Sequence, residues 1–224
     1  MIHRLALMLM LILLAMPQTS AASTVEVGTA EKLEQALSKL TKSGGFSCQF
    51  RQVVYFAEGG EQHYTGKLAI KRPGRFRWQY MTPYEQLYVS SGDLIWHYEA
   101  DLMQAERMRS LDMVDPVAMK LLDGRVGIKD IKLLATEKLR FGGTSYRIQI
   151  DQGPELLLAF SVADDLRWLE SEDMLGNRNR MILSSVNREI PSEASFQFVP
   201  PQGVEVIDVS GYESSQQPEV IKVQ

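Results

Sequence analysis

The chain reads as a single mainly β domain of the α+β kind, and three observations carry that reading. From Tyr64 to Tyr98 strand-like runs follow one another, divided by Pro73-Gly74, Thr82-Pro83 and Ser91-Gly92-Asp93. A second block of short alternating runs extends from about Ile131 to Val209. Only two segments carry the apolar spacing of a helix. Turn residues between alternating runs mark antiparallel meanders, and a helix ahead of a sheet predicts one layered core.

The first 22 residues, MIHRLALMLMLILLAMPQTSAA, combine a basic start at Arg4, an apolar run from Leu5 to Met16 and a small-residue end at Ser20-Ala21-Ala22. This is the pattern of a secretory signal peptide and is too short for a membrane span. Cleavage after Ala22, or one residue earlier, leaves about 202 residues, the size of one domain. The expected organisation is signal peptide 1–22, one domain 23–209 and a polar tail 210–224. The expected location is therefore outside the inner membrane.

The mature chain opens with TAEKLEQALSKLTKSGG. Leu33, Ala36, Leu37 and Leu40 recur at helical spacing, Thr29 is placed to cap the start and Gly44-Gly45 ends the run. In FSCQFRQVVYF, Phe46, Cys48 and Phe50 alternate with Ser47, Gln49 and Arg51, the signature of a strand. After the meander, LMQAERMRSL resumes an extended pattern. In DPVAMKLLDG, Asp115 as cap, Pro116 at the first helical position and Gly124 past the end mark a short helix. Val117, Leu121 and Leu122 are available to pack there. Strands are then expected within Ile131–Ala135, Tyr146–Ile150, Leu156–Val162, Leu166–Glu172, Arg180–Val186 and Phe196–Phe198. Turns are expected at Ala163-Asp164-Asp165 and Leu175-Gly176-Asn177. Val220 and Ile221 offer material for an edge strand.

The chemistry-bearing residues are sparse. Cys48 is the one cysteine and shares a parity with two phenylalanines, so it reads as a small buried hydrophobe. His63 and His97 lie in no zinc-ligand spacing, and no nucleophile elbow, phosphate loop or dinucleotide fingerprint is present. The reading is of a protein that is not an enzyme and takes no metal or cofactor. Without Arg4 the mature chain carries 23 basic and 28 acidic residues, a net charge of −5. That balance argues against nucleic acid as a partner.

What the strands carry in excess is apolar surface. Phe76, Trp78 and Tyr80 share one parity, Leu87 and Val89 another, and Leu94, Trp96 and Tyr98 a third, with Met81, Met103, Met108, Met113 and Met119 close in sequence. These fill an ordinary core, or they line an apolar pocket on an open sheet covered by two helices. Arg72 bears on the choice. It shares a parity with Leu68 and Ile70, so its guanidinium is directed inward unless it snorkels to water at the strand end, and an inward one needs several acceptors. The basic run Lys67, Lys71, Arg72, Arg75, Arg77, interleaved with Phe76 and Trp78, also fits lipid headgroups or partner carboxylates.

The blocks LSKLTKSGGFSCQFRQ, GKLAIKRPGRFRWQY, PYEQLYVSSGDLIWHYEADLMQ, DPVAMKLLDG and FQFVPPQGVEVID resemble, in that order, the periplasmic outer-membrane lipoprotein carrier family, LolA. The resemblance runs from about Leu37 to Asp208. It implies an incomplete antiparallel β-barrel with a helical lid over a hydrophobic cavity for acyl chains. Arg72 matches the arginine that latches the lid by bonding its backbone carbonyls. Leu40, Met119, Leu121 and Leu122 would belong to the lid. Phe46, Phe50, Leu68, Ile70, Phe76, Trp78, Leu87, Val89 and Trp96 would line the cavity.

By the same resemblance, a monomer in the periplasm receives acylated lipoproteins from an inner-membrane lipoprotein-releasing ABC transporter and hands them to the outer-membrane receptor LolB. Two other functions stay open at this point. One is a paralogous lipid or glycolipid shuttle with the same pocket, and the other is a non-enzymatic module that senses stray lipoproteins and retains them. A cargo complex that passes its load to an acceptor membrane separates carrier from sensor.

Overall fold

The computed structural model describes residues 27–92, 94–109, 116–150, 153–210 and 219–222. Residues 1–22, the expected signal peptide, the expected cap Asp115, Met113 and the stretch 211–218 of the tail lie outside them, as does the side chain of Val117. Helix α1 spans Val27–Lys42 and α2 spans Pro116–Leu122. The strands are β1 (Gly45–Tyr55), β2 (Glu61–Lys71), β3 (Arg75–Thr82), β4 (Gln86–Ser91), β5 (Ile95–Glu99), β6 (Gln104–Met108), β7 (Ile131–Lys138), β8 (Thr144–Ile150), β9 (Glu155–Phe160), β10 (Leu166–Glu172), β11 (Arg178–Asn187), β12 (Glu205–Asp208) and β13 (Glu219–Lys222).

Among the described residues these strands form one sheet, ordered β13-β12-β6-β5-β4-β3-β2-β1-β11-β10-β9-β8-β7. Its end strands, β7 and β13, do not pair with one another there, so the barrel is incomplete as expected. Neighbours are antiparallel except β12, which runs parallel to β6. The tail contributes β13, which pairs with β12.

Three expectations change. Thr29 lies within helix α1, Val27–Lys42, rather than capping it. The parallel pairing of β12 breaks the all-antiparallel plan. Phe196–Phe198 is not a strand: Glu193–Phe196 forms a 3-10 turn, and the actual strand comes later, at β12. Pro191, Pro200 and Pro201 flank that stretch, and a residue without an N–H cannot sustain a ladder.

Residues directly opposite across strands share a face. Cys48, Leu68, Trp78, Tyr88, His97 and Glu106 are opposite one another in turn across six strands. They lie on the inner face, the one beneath the helices. One continuous core joins inner-face residues of β1 to β6 with Tyr146, Ile148, Leu156, Leu158 and Phe160 of the second block. The turns at 163–165 and 175–177 connect strands as expected, with Asp164 and Gly176 at positive φ.

The register needs a glycine at one inner position. Gly66 sits between Phe50 and Tyr80, and a Cβ there would lie 2.1 Å from the Gln79 carbonyl oxygen and 2.5 Å from the Phe50 ring. Its absence lets Phe50 lie flat over the strand and meet Tyr80 edge-on, centroids 5.3 Å apart. Gly66→Ala is expected to lower stability by about 1–3 kcal/mol through overpacking. Thermal or urea unfolding measures it, and an unchanged midpoint would show that the strand yields freely.

Candidate functional site: an arginine beneath two helix ends

The apolar stripe of α1 makes it a cover for the sheet. Leu33, Ala36, Leu37 and Leu40 are all buried, at 0, 0, 6 and 8% exposure, and they belong to the same core as Met119, Leu121 and Leu122 of α2. The lid assignment of Leu40, Met119, Leu121 and Leu122 thus corresponds to residues packed on the inner face. The helices' own side chains fill that face.

Both helices end at the same place. The last carbonyls of a helix have no intrahelical donor and carry its partial negative charge. Gly124, at φ 74°, turns the chain after α2, and its N–H donates to the Leu121 carbonyl at 3.1 Å. The Leu122 carbonyl accepts instead from Arg72, from Nε at 3.1 Å and from Nη2 at 2.6 Å. Nη1 of the same guanidinium donates to the Ser43 carbonyl, just past α1, at 2.7 Å. One side chain therefore ties the ends of both helices to the β2–β3 turn.

The arginine is itself held in place. Its backbone N–H donates to the Gly44 carbonyl at 2.8 Å, and its guanidinium lies 5.5 Å from the centre of the Phe46 ring. Burial pushes the Arg72 pKa down and the Asp123 charge pushes it back, but a guanidinium remains charged throughout. Asp123, 8% exposed, accepts the Gly74 N–H at 2.9 and 3.2 Å and pairs with Arg125 Nε at 2.5 Å. Ser90 Oγ donates to the Gly74 carbonyl at 2.8 Å, fixing the turn from its other side.

Ser43, Gly74, Ser90, Asp123 and Arg125 were not among the sequence candidates. The Asp-Gly-Arg run after α2 held the one available signal, a carboxylate beside a helix-ending glycine. The snorkelling alternative for Arg72 is excluded by its bonds. Part of the basic run is engaged within the fold: Lys71 and Arg75 both pair with Glu193, fastening the 3-10 turn against β3 and β4.

Phe46, Phe50, Leu68, Ile70, Phe76 and Trp78 face inward, each no more than 3% exposed. Leu87, Val89 and Trp96 do not. Val89 is opposite Arg77 and Trp96, and Leu87 is opposite Gln79 and Tyr98, all on the outer face. Trp96 there packs with Phe198 against Ala105, Val204 and Val206. The period of two forces this outcome once Trp78 is opposite Tyr88; sequence parity alone did not reveal which half of β4 met the core. Of the methionines, Met108 and Met119 are buried inside while Met81 and Met103 are about half exposed.

Cys48 lies on this covered face, 5% exposed, and burial pushes its thiol up to about 12. In the folded protein at pH 8 it is expected to resist a charged maleimide for hours, because the thiolate is the reactive species. Labelling that proceeds at the rate of a free thiol would show that the cover opens readily.

The family described as outer membrane lipoprotein carrier protein LolA matches residues 41–199. A relative named outer-membrane lipoprotein carrier protein from Methylobacillus flagellatus is 30% identical over 184 residues, covering 80% of this chain and 89% of that protein. One of the same name from Legionella pneumophila is 30% identical over 188 residues, covering 81% and 92%. Another from Nitrosospira multiformis is 34% identical over 161 residues, covering 64% and 72%. The matched region contains the Arg72 turn, α2 and the inner-face strands, and the chain belongs to the LolA family of outer-membrane lipoprotein carrier proteins.

Proposed function

We propose that this chain is a periplasmic carrier that shields the acyl chains of lipoproteins in transit between membranes. The observation that carries the reading is the Arg72 tie, because it joins a covered apolar face to two helix ends through hydrogen bonds that a modest movement breaks. Burying acyl chains is worth about 0.8 kcal/mol per CH₂, so even partial cover makes a lipid-anchored protein soluble. Those chains take the places now held by Leu37, Leu40, Met119 and Leu122. Their entry lifts α1 and α2 and breaks the Arg72 bonds, which offsets part of the gain and keeps the cargo transferable. The unloaded form is the closed one.

In this reading residues 1–22 are removed on export. An inner-membrane lipoprotein-releasing ABC transporter loads the carrier, and the outer-membrane receptor LolB unloads it. The test is release from inner-membrane spheroplasts bearing a labelled lipoprotein, with purified mature protein added. A soluble 1:1 complex that appears only with the protein, and that passes its cargo to acceptor membranes, is the expected result. A complex that forms and retains its cargo would make the chain a sensor. No release, with extracted lipid still bound, would make it a shuttle of another lipid.

A further inference from the structure

The inner face changes character along the row that begins at Cys48. Leu68 is followed by Trp78, Tyr88, His97 and Glu106, so the row passes from apolar to polar within four strands. Trp78 sits at the boundary. It is 1% exposed, in contact with Phe50 on one side and stacked at 6.0 Å on Tyr80 on the other. Its indole N–H is buried and has no hydrogen-bond partner among the described residues. A buried donor left unpaired is costly, and a buried tryptophan usually finds an acceptor.

Beyond Tyr80, which stacks on Trp78, and Tyr88, which is opposite it in register, lies a cavity of about 260 Å³. It is lined by Gln52, Tyr64, Tyr80, Tyr84, Gln86 and Tyr88 together with Val54. Tyr80 donates to Gln52 Oε1 at 2.9 Å, so amide and phenol groups are already ordered at its wall. An apolar ligand has no use for these groups. A ligand whose hydrocarbon tails end in carbonyl-bearing linkages matches both sides of the boundary at once.

We infer that Trp78 is a ligand-binding donor: its indole N–H bonds an ester or amide carbonyl of the acylated ligand, while the glyceryl and peptide part occupies the tyrosine-lined cavity. The inference rests on the carrier reading and adds to it a recognition of the linkage rather than of the tails. The N–H is kept unpaired in the closed form because its acceptor arrives with the cargo. Tails then set the strength of binding, and the carbonyl sets how far they enter.

The experiment compares two soluble probes, dioctanoylglycerol, with two ester carbonyls, and its dioctyl ether counterpart, with none. Calorimetric titration of the wild-type protein is expected to favour the ester about 3–10-fold, the worth of one ordinary hydrogen bond. Trp78→Phe keeps a ring and removes the donor, and it is expected to bind both probes with roughly equal affinity. A second measurement does not depend on that variant folding. In a ¹⁵N spectrum the Trp78 indole resonance, identified with Trp96→Phe and Trp168→Phe, should move downfield with the ester and not with the ether. Ester preference that survives Trp78→Phe, or an indole resonance that ignores the ester, overturns the inference. If the wild-type protein binds neither probe, the carrier reading falls and the subsite falls with it.

Discussion

Arg72→Leu frees the two helices from the sheet while leaving the sheet intact. The substitution removes four donations, two to the Leu122 carbonyl and one each to the Ser43 carbonyl and hydroxyl oxygens, and replaces a charge that needs acceptors with a group that does not. Hydrogen bonds from a charged donor are worth about 1.5–3 kcal/mol each, but part of that sum is recovered because the buried charge disappears as well. A net loss of about 1.5–3 kcal/mol in the cost of local opening is expected. That corresponds to roughly 10- to 100-fold faster hydrogen exchange at the amides of Asp123 and Arg125 and in the last turn of α1. The strands β2 and β3 should exchange as before. Cys48 labelling should accelerate together with the helix amides, since the thiol lies under the same cover. In the spheroplast assay the variant is expected to take up lipoprotein and to pass less of it on, because no bonds re-form to drive release. Unchanged protection of both helices would remove Arg72 from the mechanism.

Asp123→Ala attacks the same joint from the helix side and is expected to cost more in global stability. It leaves the Gly74 N–H without its acceptor, deprives Arg125 of its partner and takes away a carboxylate that offsets the buried Arg72 charge. An unsatisfied buried donor costs about 1–3 kcal/mol, and an uncompensated buried cation adds to it. A loss of about 2–4 kcal/mol by urea unfolding follows. The double variant with Arg72→Leu should be less damaging than the two single costs added together, since removing both members leaves no lone charge. Strict additivity would mean that Asp123 acts through the turn alone and not through Arg72.

How much of this was legible in the sequence depends on the range of the interaction. Helix α1, helix α2 and most strands declare themselves through spacing and turn residues, because their cause is local. The need of Arg72 for acceptors was equally visible, since it follows from parity and the cost of a buried charge. Which carbonyls would serve was not, because Ser43 and Leu122 reach the site from helices 29 and 50 residues away. Leu87, Val89 and Trp96 show the opposite failure. Both parities of β4 and β5 are apolar enough to be inside, so only the register with Trp78 and Tyr88 decides. The parallel strand β12 is invisible for a third reason: its pairing with β6 joins segments about a hundred residues apart, with no turn between them to announce it.

The sheet order carries a consequence for how the molecule is assembled. β1 lies in the interior of the sheet, flanked by β2, which follows it at once, and by β11, which comes much later: Ser47 is opposite Asn187 and Tyr55 opposite Arg178. The first meander, β1 to β6, and the second, β7 to β11, are each built from near neighbours and can form early. The seam that joins them must close across more than half of the chain, and such distant pairings are the slow ones. Until then, one long edge of β1 and one of β11 stay open, each beside half of an uncovered apolar face. A chain emerging N-terminus first therefore carries an unfinished edge for nearly its whole passage, and a holding chaperone would have its binding site there.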